Sequence, residues 1–260
     1  MGESSLDKII FESITINQAD CANRPWIVLI NGLFAGLNSW DLHIPYLTPY
    51  FNVVRYNGPG QGNVDSLDSV PTLSDQVQLL EEILDQLEIE SAFLLGISNG
   101  ARVALKFAEV YPRRVDRVFS LDTYDKLGPE LRMKLESWLD ASRAGGNDLR
   151  FKVSTPWIFG ESFLKNEIEK VEFFKELNRS KPSQVGERLI ESALLDEEVD
   201  LTKVEVPVDF FVGEEDILTT RELHLEMATR CKQSSLGYLR GGHASVLEYP
   251  QNISRILEVL

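Results

Sequence analysis

Short apolar runs alternate with stretches of helical spacing along most of the chain. Trp26-Ile-Val-Leu-Ile30 is apolar without a break and ends in Asn31-Gly32, the pattern of a strand buried on both faces. Phe51 to Tyr56, Ala92 to Ile97, Val115 to Leu121, Val206 to Gly213 and Leu236 to Arg240 read as further strands, and Ile9 to Ile16 as an antiparallel edge strand. Between them Leu73, Val77, Leu80, Leu84 and Leu87 recur at helical spacing with acids opposite. Ala101 to Tyr111 and Arg221 to Cys231 continue as helices, and a last helix follows Ser245. Strands alternating with helices predict an α/β fold, a mainly parallel sheet with crossover helices on both faces.

The alternation stops over residues 123–203, which read as several helices and no strand. Such a stretch is too long for a connecting loop. It is expected to form a helical cap on a core made of residues 1–122 and 204–260. It would lie over the C-terminal edge of the sheet, where α/β proteins place their ligands.

Gly96-Ile97-Ser98-Asn99-Gly100 stands where a buried strand meets a helix. A nucleophilic serine on so sharp a turn needs small neighbours two residues to either side, because the backbone is strained and the helix packs tightly on the strand. The hydroxyl also needs a base steered by an acid, and on such an elbow these follow along the chain as acid, then base. Of the three histidines, His43 precedes the serine and His224 lies within a helix, where it reads as a partly exposed surface group. His243, in Leu239-Arg-Gly-Gly-His-Ala-Ser, follows the last strand with two glycines to bring its loop back over the sheet. Asp216, just past the strand ending at Val212, is the expected acid, with Glu214 and Glu215 solvated beside it. Asp122, at the end of the preceding strand, is the rival. The expected oxyanion donors are the backbone N–H groups of Asn99 and of Leu33 in the Asn31-Gly32-Leu33-Phe34 turn.

These features, with Gly58-Pro-Gly-Gln-Gly62 and Gly242-His243, occur in the order that resembles the α/β-hydrolase superfamily. The resemblance implies an eight-stranded, mostly parallel sheet, a helical cap and a Ser98–His243–Asp216 triad, with no cofactor and no metal. Two positions depart from the usual pattern: Asn31 stands where His is common, and Asn57 where Asp is common. Asn31-Gly32, together with Leu218-Thr219-Thr220, is also similar to the acyltransferases that join two hydroxyacyl chains in rhamnolipid synthesis. The resemblance thus implies a serine hydrolase for a small or medium ester. A thioesterase, an acyltransferase acting on hydroxyacyl thioesters and a C–C bond hydrolase share its machinery. A non-catalytic ligand receptor on the same scaffold is the other class of function, and the complete Ser, His and Asp set argues against it.

Composition narrows the partners. Forty-one acidic against 26 basic residues give a net charge of −15, which repels nucleic acid and anionic membranes. An acyl carrier protein is acidic too, and would need the local cluster of Arg102, Arg113, Arg114 and Arg117, which reads better as a solvated helix end. No run approaches a membrane span, and the first residues lack the layout of a signal peptide. Cys21 and Cys231 cannot make a disulfide scaffold, so a reducing cytoplasm is the expected location. Most of the aromatic residues of 123–203 (Trp138, Phe151, Trp157, Phe159, Phe163, Phe173 and Phe174) are expected to pack the cap on the sheet, and one or two to line an acyl pocket.

Overall fold

The computed structural model describes residues 24–62 and 67–260 in full, and residues 11–14 as backbone. The strands are β1 (Phe11–Ile14), β2 (Trp26–Ile30), β3 (Asn52–Tyr56), β4 (Ala92–Ile97), β5 (Val115–Leu121), β6 (Val208–Gly213) and β7 (Ser234–Leu239). They form one sheet in the order β1-β3-β2-β4-β5-β6-β7. β2 to β7 run parallel, and β1 pairs antiparallel with β3, the edge position its sequence suggests. Among the described residues the sheet therefore has seven strands, not eight. The apolar runs account for these seven alone, and the eighth came only from the family resemblance. The ends of the expected first strand, Ile9 to Ile16, lie outside the described residues.

Period-two alternation decides which face each strand residue serves. Val28, Ile30, Val54 and Leu94 point to one layer with Leu80, Ile83, Val103 and Phe107. Ile27, Leu29, Val53 and Leu95 point to the other, against Trp40, Leu47, Ile253 and Ile256. The helices supplying these layers are α1 (Ile44–Leu47), α2 (Leu73–Gln86), α3 (Asn99–Val110) and, after the insertion, α8 (Arg221–Arg230), α9 (Ser245–Glu248) and α10 (Asn252–Leu257). α2 begins at a capping box, with Thr72 accepting from Asp75 N–H and Asp75 from Thr72 N–H.

Between β5 and β6 lie α4 (Pro129–Ile158), α5 (Glu161–Asn166), α6 (Ile168–Arg179) and α7 (Ser183–Leu194). α4 breaks at Gly145 and Gly146, whose backbone angles are not helical. Two apolar clusters attach this insertion. Leu131, Leu135, Trp138 and Ile190 pack with Tyr124 and Leu218, while Phe151, Phe159 and Phe163 pack with Ala244 and Tyr249. Phe173 is an exception among the aromatics, 59% exposed on α6. Consecutive strands β2, β3 and β4 place β4 on the opposite side of β2 from β3, so the order in which strands are laid across the sheet reverses at β2. The crevice that this reversal opens lies beyond Ile30 and Ile97, beneath the insertion.

Candidate active site

At the end of β4 the chain turns into α3 through Ser98, whose φ of 55° and ψ of −123° are far from ordinary values for a residue with a side chain. Close approach explains the flanking glycines. A Cβ on Gly96 would sit 2.5 Å from Ala101 N, and one on Gly100 2.5 Å from Asn31 O. The turn is fixed from outside, since Ser98 N–H donates to Leu121 O (2.8 Å) and the Thr123 hydroxyl donates to Ser98 O (2.7 Å).

His243 reaches the serine from the loop between β7 and α9, its Nε2 2.8 Å from Ser98 Oγ. Its Nδ1 lies 3.0 Å from Asp216 Oδ2. The structure thus brings together the three side chains expected from the sequence. Asp216 is also held by Leu218 N–H (2.8 Å) and Thr219 N–H (2.9 Å) on Oδ1, and by the Thr219 hydroxyl (2.9 Å) on Oδ2. Burial alone would raise the Asp216 pKa, but the facing His243 and these donors outweigh it and hold the carboxyl below its ordinary value. Burial would likewise depress His243, and the Asp216 charge reverses this, leaving the imidazole above its ordinary value.

Asp122 does not touch the histidine. It accepts from Gly213 N–H (2.8 Å) and meets the Ser245 hydroxyl (2.5 Å), tying the end of β5 to the histidine loop. Complete burial, reinforced by the Asp216 charge, raises its pKa well above the carboxylate range. His224 departs from expectation. It is fully buried, accepts from Thr123 N–H (2.9 Å) and is held neutral by burial, its pKa falling to about 4. Glu215 is only partly solvated, accepting from Ser162 N–H (2.9 Å), whereas Glu214 is exposed. The arginine cluster also dissolves. Arg102 is buried under Tyr124 and bonds Glu197 O, Arg114 pairs with Asp85 and Arg117 with Asp209.

Leu33 lines the cavity together with Ser98, and Asn99 follows the nucleophile in the chain; among the described residues neither backbone N–H donates a hydrogen bond in a turn, loop or cap. Asn31 buttresses this side. Its Oδ1 accepts from Trp40 Nε1 (2.7 Å), and its Nδ2 donates to Tyr56 O (2.8 Å) and Gln61 Oε1 (3.1 Å). Gln61 Nε2 in turn donates to Gly32 O (3.0 Å), and Asn57 Oδ1 accepts from Leu37 N–H (2.8 Å). Both asparagines thereby serve as acceptors within the loop scaffold. Leu33 to Ala35 form a γ-turn closed by Ala35 N–H to Leu33 O (2.8 Å), with Phe34 at a φ of 63°. For a residue with a bulky side chain this conformation costs roughly 1–2 kcal/mol, so its surroundings must hold it in place.

A cavity of about 90 Å³ opens on Ser98 and His243. Leu131, Leu135, Trp138 and Ile158 of the insertion wall it, with Leu33 and Leu218 from the core. Trp138 Nε1 and Tyr124 Oη, both buried in residues of that wall, have no hydrogen-bond partner among the described residues. Among the described residues no cluster of three or more His, Cys, Asp or Glu could hold a metal ion, and no helix is long and apolar enough to cross a membrane.

Three of these residues had no role in the site that the sequence suggests. Thr219 sits three residues after Asp216, a spacing at which side chains commonly bond back within a turn, and that signal was available. Glu248 is buried, and its Oε1 accepts from Gly242 N–H (2.9 Å) and Gly160 N–H (3.1 Å), joining the histidine loop to the insertion. Burial raises its pKa to about 7. Ser245 acts only through Asp122, and no local pattern marks it or Glu248.

Residues 25–250 match the family model described as alpha/beta hydrolase fold. The chain is 26% identical over 259 residues to 3-oxoadipate enol-lactonase 2 of Acinetobacter baylyi, covering 98% of this chain and 96% of that one. A shorter match of 102 residues, 37% of this chain and 35% of the relative, is 32% identical to a 2-hydroxy-6-oxononadienedioate/2-hydroxy-6-oxononatrienedioate hydrolase of Paraburkholderia phymatum. Among solved structures, the α/β hydrolase MGS-M2 from a Medee basin deep-sea metagenome library superposes with a TM-score of 0.87 at 26% identity, over 96% of this chain and 93% of that one. The enol-lactonase from Burkholderia xenovorans LB400 gives 0.86 at 20% identity, over 96% and 95%. Sheet order, helical layers and the match over most of the chain agree: this protein belongs to the α/β-hydrolase family.

Proposed function

We propose that the protein is a serine hydrolase that cleaves a small or medium carboxylic ester through an acyl-enzyme. The observation that carries this reading is the unbroken chain Ser98 Oγ, His243 Nε2, His243 Nδ1, Asp216 Oδ2, with links of 2.8 and 3.0 Å. Asp216 fixes the tautomer that carries its proton on Nδ1, leaving the Nε2 lone pair for the serine proton. Ser98 Oγ attacks the ester carbonyl as His243 takes that proton, and the oxyanion settles against Leu33 N–H and Asn99 N–H. His243 then returns the proton to the departing alcohol. In the second half it activates water against the acyl-enzyme.

Residues 123–203 serve in this reading as a cap that selects the substrate. Apart from Ser98, Thr219 and His243 the wall is largely apolar, and two of its residues, Trp138 and Tyr124, carry a buried donor with no hydrogen-bond partner among the described residues. Two unpaired donors favour a substrate with a second oxygen acceptor away from the scissile carbonyl, since each buried donor left alone costs about 1–3 kcal/mol. A keto ester, or a lactone that bears a further carbonyl or carboxylate, has that shape. The full-length likeness to an enol-lactonase supports the same choice. The partial likeness to a dienedioate hydrolase makes C–C bond cleavage the second reading, since it uses the same serine machinery. Acyl transfer to a hydroxyacyl acceptor and thioester cleavage have no comparable support.

The test is a panel of lactones, linear esters, thioesters and vinylogous diketones assayed with the wild-type protein and Ser98→Ala. Turnover of esters or lactones that disappears in Ser98→Ala is expected. Ester turnover that survives in Ser98→Ala would sink the reading, and activity confined to diketones would establish the second one.

A further inference from the structure

The oxyanion loop is held by the insertion, and by cations. Phe34, the strained centre of the γ-turn, lies under Arg150 of α4, whose guanidinium carbon is 3.9 Å from the ring centroid. Lys181, between α6 and α7, donates from Nζ to Phe34 O (3.2 Å). Gly186 of α7 faces the same ring, and a Cβ added there would lie 3.8 Å from Phe34 Cε1. Thus the ring and the carbonyl of one residue are both gripped by the segment between β5 and β6.

Arg150 is 2% exposed, and its hydrogen bonds go to amide oxygens, Asn178 Oδ1 at 2.8 Å and Asn147 Oδ1 at 3.4 Å. Burial lowers its pKa to about 10, and burial together with the Arg150 charge lowers that of Lys181. Keeping a buried guanidinium on neutral partners is costly unless the position it holds matters. What it holds is the turn that follows the expected oxyanion donor.

We propose that Arg150 and Lys181 are positioning residues that clamp the Leu33–Ala35 γ-turn and so keep Leu33 N–H aimed at the tetrahedral oxyanion. The inference rests on the serine-hydrolase reading above. A γ-turn with a side chain at its centre relaxes when released, and relaxation shifts Leu33, the first residue of the turn, and with it the donor N–H. The clamp acts on the transition state, because the oxyanion and not the ground-state carbonyl needs the donor at full strength. The insertion then does more than choose the substrate: it completes the machinery that acts on it.

The experiment compares Arg150→Met, Lys181→Met and Lys181→Arg on an activated acetate ester, with inhibition by a trifluoromethyl ketone, whose serine adduct carries an oxyanion. Lys181 is partly exposed, so its variants should fold even if Arg150→Met does not. Partial loss of an oxyanion donor predicts a fall in kcat of about 10- to 100-fold for each Met variant. KM should stay within about twofold, and ketone affinity should weaken in parallel with kcat. Lys181→Arg should recover most of the loss. In a Phe34→Gly background, where the turn is unstrained and the ring absent, Arg150→Met should cost little more. Folded variants with wild-type kcat and ketone affinity would overturn the clamp. So would a loss confined to KM for carboxylate-bearing esters, which would make the pair an anion subsite. Ser98→Ala separates the two levels: if it leaves ester turnover intact, the parent reading fails, whatever the clamp variants do.

Discussion

Asp216→Asn tests which acid serves His243. Asp216 Oδ1 accepts from Leu218 N–H and Thr219 N–H at 2.8 and 2.9 Å, so the amide oxygen of Asn will take that position. Its NH₂ then falls where Oδ2 was, facing the Thr219 hydroxyl and His243 Nδ1. A donor there forces the imidazole to present a lone pair at Nδ1 and its proton at Nε2. Nε2–H cannot take the proton of Ser98 Oγ, and the loss in kcat should be about 10⁴-fold at neutral pH. The Asp216 charge raises the pKa of His243, whose imidazolium proton must be shed before the ring can act as base. Removing that charge should therefore move the acid limb of kcat/KM to lower pH. Asp122→Asn is the control. Its carboxyl is pushed up by burial, so the neutral amide resembles the acid it replaces, and its partners are Gly213 N–H and Ser245 Oγ rather than the histidine. Its loss should stay within about tenfold, the scale of one altered hydrogen bond. Both variants are assayed for kcat/KM from pH 5 to 9 on one activated ester, with circular dichroism to check folding. The reverse ranking, or an Asp216→Asn acid limb that does not move, would refute the assignment of Asp216.

Gly100→Ala should abolish activity or soluble expression, because its Cβ would run into Ile30 O and Asn31 O, and purification with an ester assay checks this. Wild-type turnover would show that the elbow has room. Glu248 titrates at about 7 when folded, against 4.5 ordinarily, so its protonated form favours the native state. That stability is present below about pH 4.5 and is lost as pH rises toward 7, by about 3 kcal/mol at most. The Tm of Glu248→Gln relative to wild type should therefore climb between pH 5 and 8, and a flat difference would contradict it. Trp138→Phe and Tyr124→Phe should lower kcat/KM on esters with a distal carbonyl far more than on plain alkyl esters, by about 1–3 kcal/mol. Equal losses on both would show that neither donor meets substrate.

The Ser98 elbow and the order of acid and base were readable because each is a local feature: glycines two residues from a serine, an acid after a strand, a histidine after two glycines. The fold was readable for the same reason, since β2 to β6 each carry their own apolar run. What escaped depends on partners far along the chain. His224 looks like a surface residue of α8 until Thr123 N–H, 101 positions earlier, is placed on its Nε2. Arg102 looks like part of a basic helix end until Tyr124 and Glu197 cover it. Phe34 carries no turn signature, because its conformation is imposed by Arg150 and Lys181 from another layer. Phe173 is the minority case. An apolar residue in a helix suggests burial, yet the face of α6 that carries it looks outward.

Three glycines set how this protein can change. A Cβ on Gly213, at the end of β6, would strike Gly242 O, and one on Gly242 would strike Gly160 N at the start of α5. A Cβ on Gly160 would lie 2.9 Å from Gly242 N and from Glu215 Oε2. The strand that bears the acid, the loop that bears the base and the hinge of the insertion thus meet backbone to backbone. A library that exchanges residues 129–194 for the helices of a relative must inherit this junction unchanged, or it will displace His243 while altering the pocket. Fitness across such a library should split into two groups, chimaeras that keep glycine at 160 and inactive ones that do not. New specificities are then reachable by point changes in the pocket wall, whereas exchange of the whole insertion is closed except between proteins that share the seam.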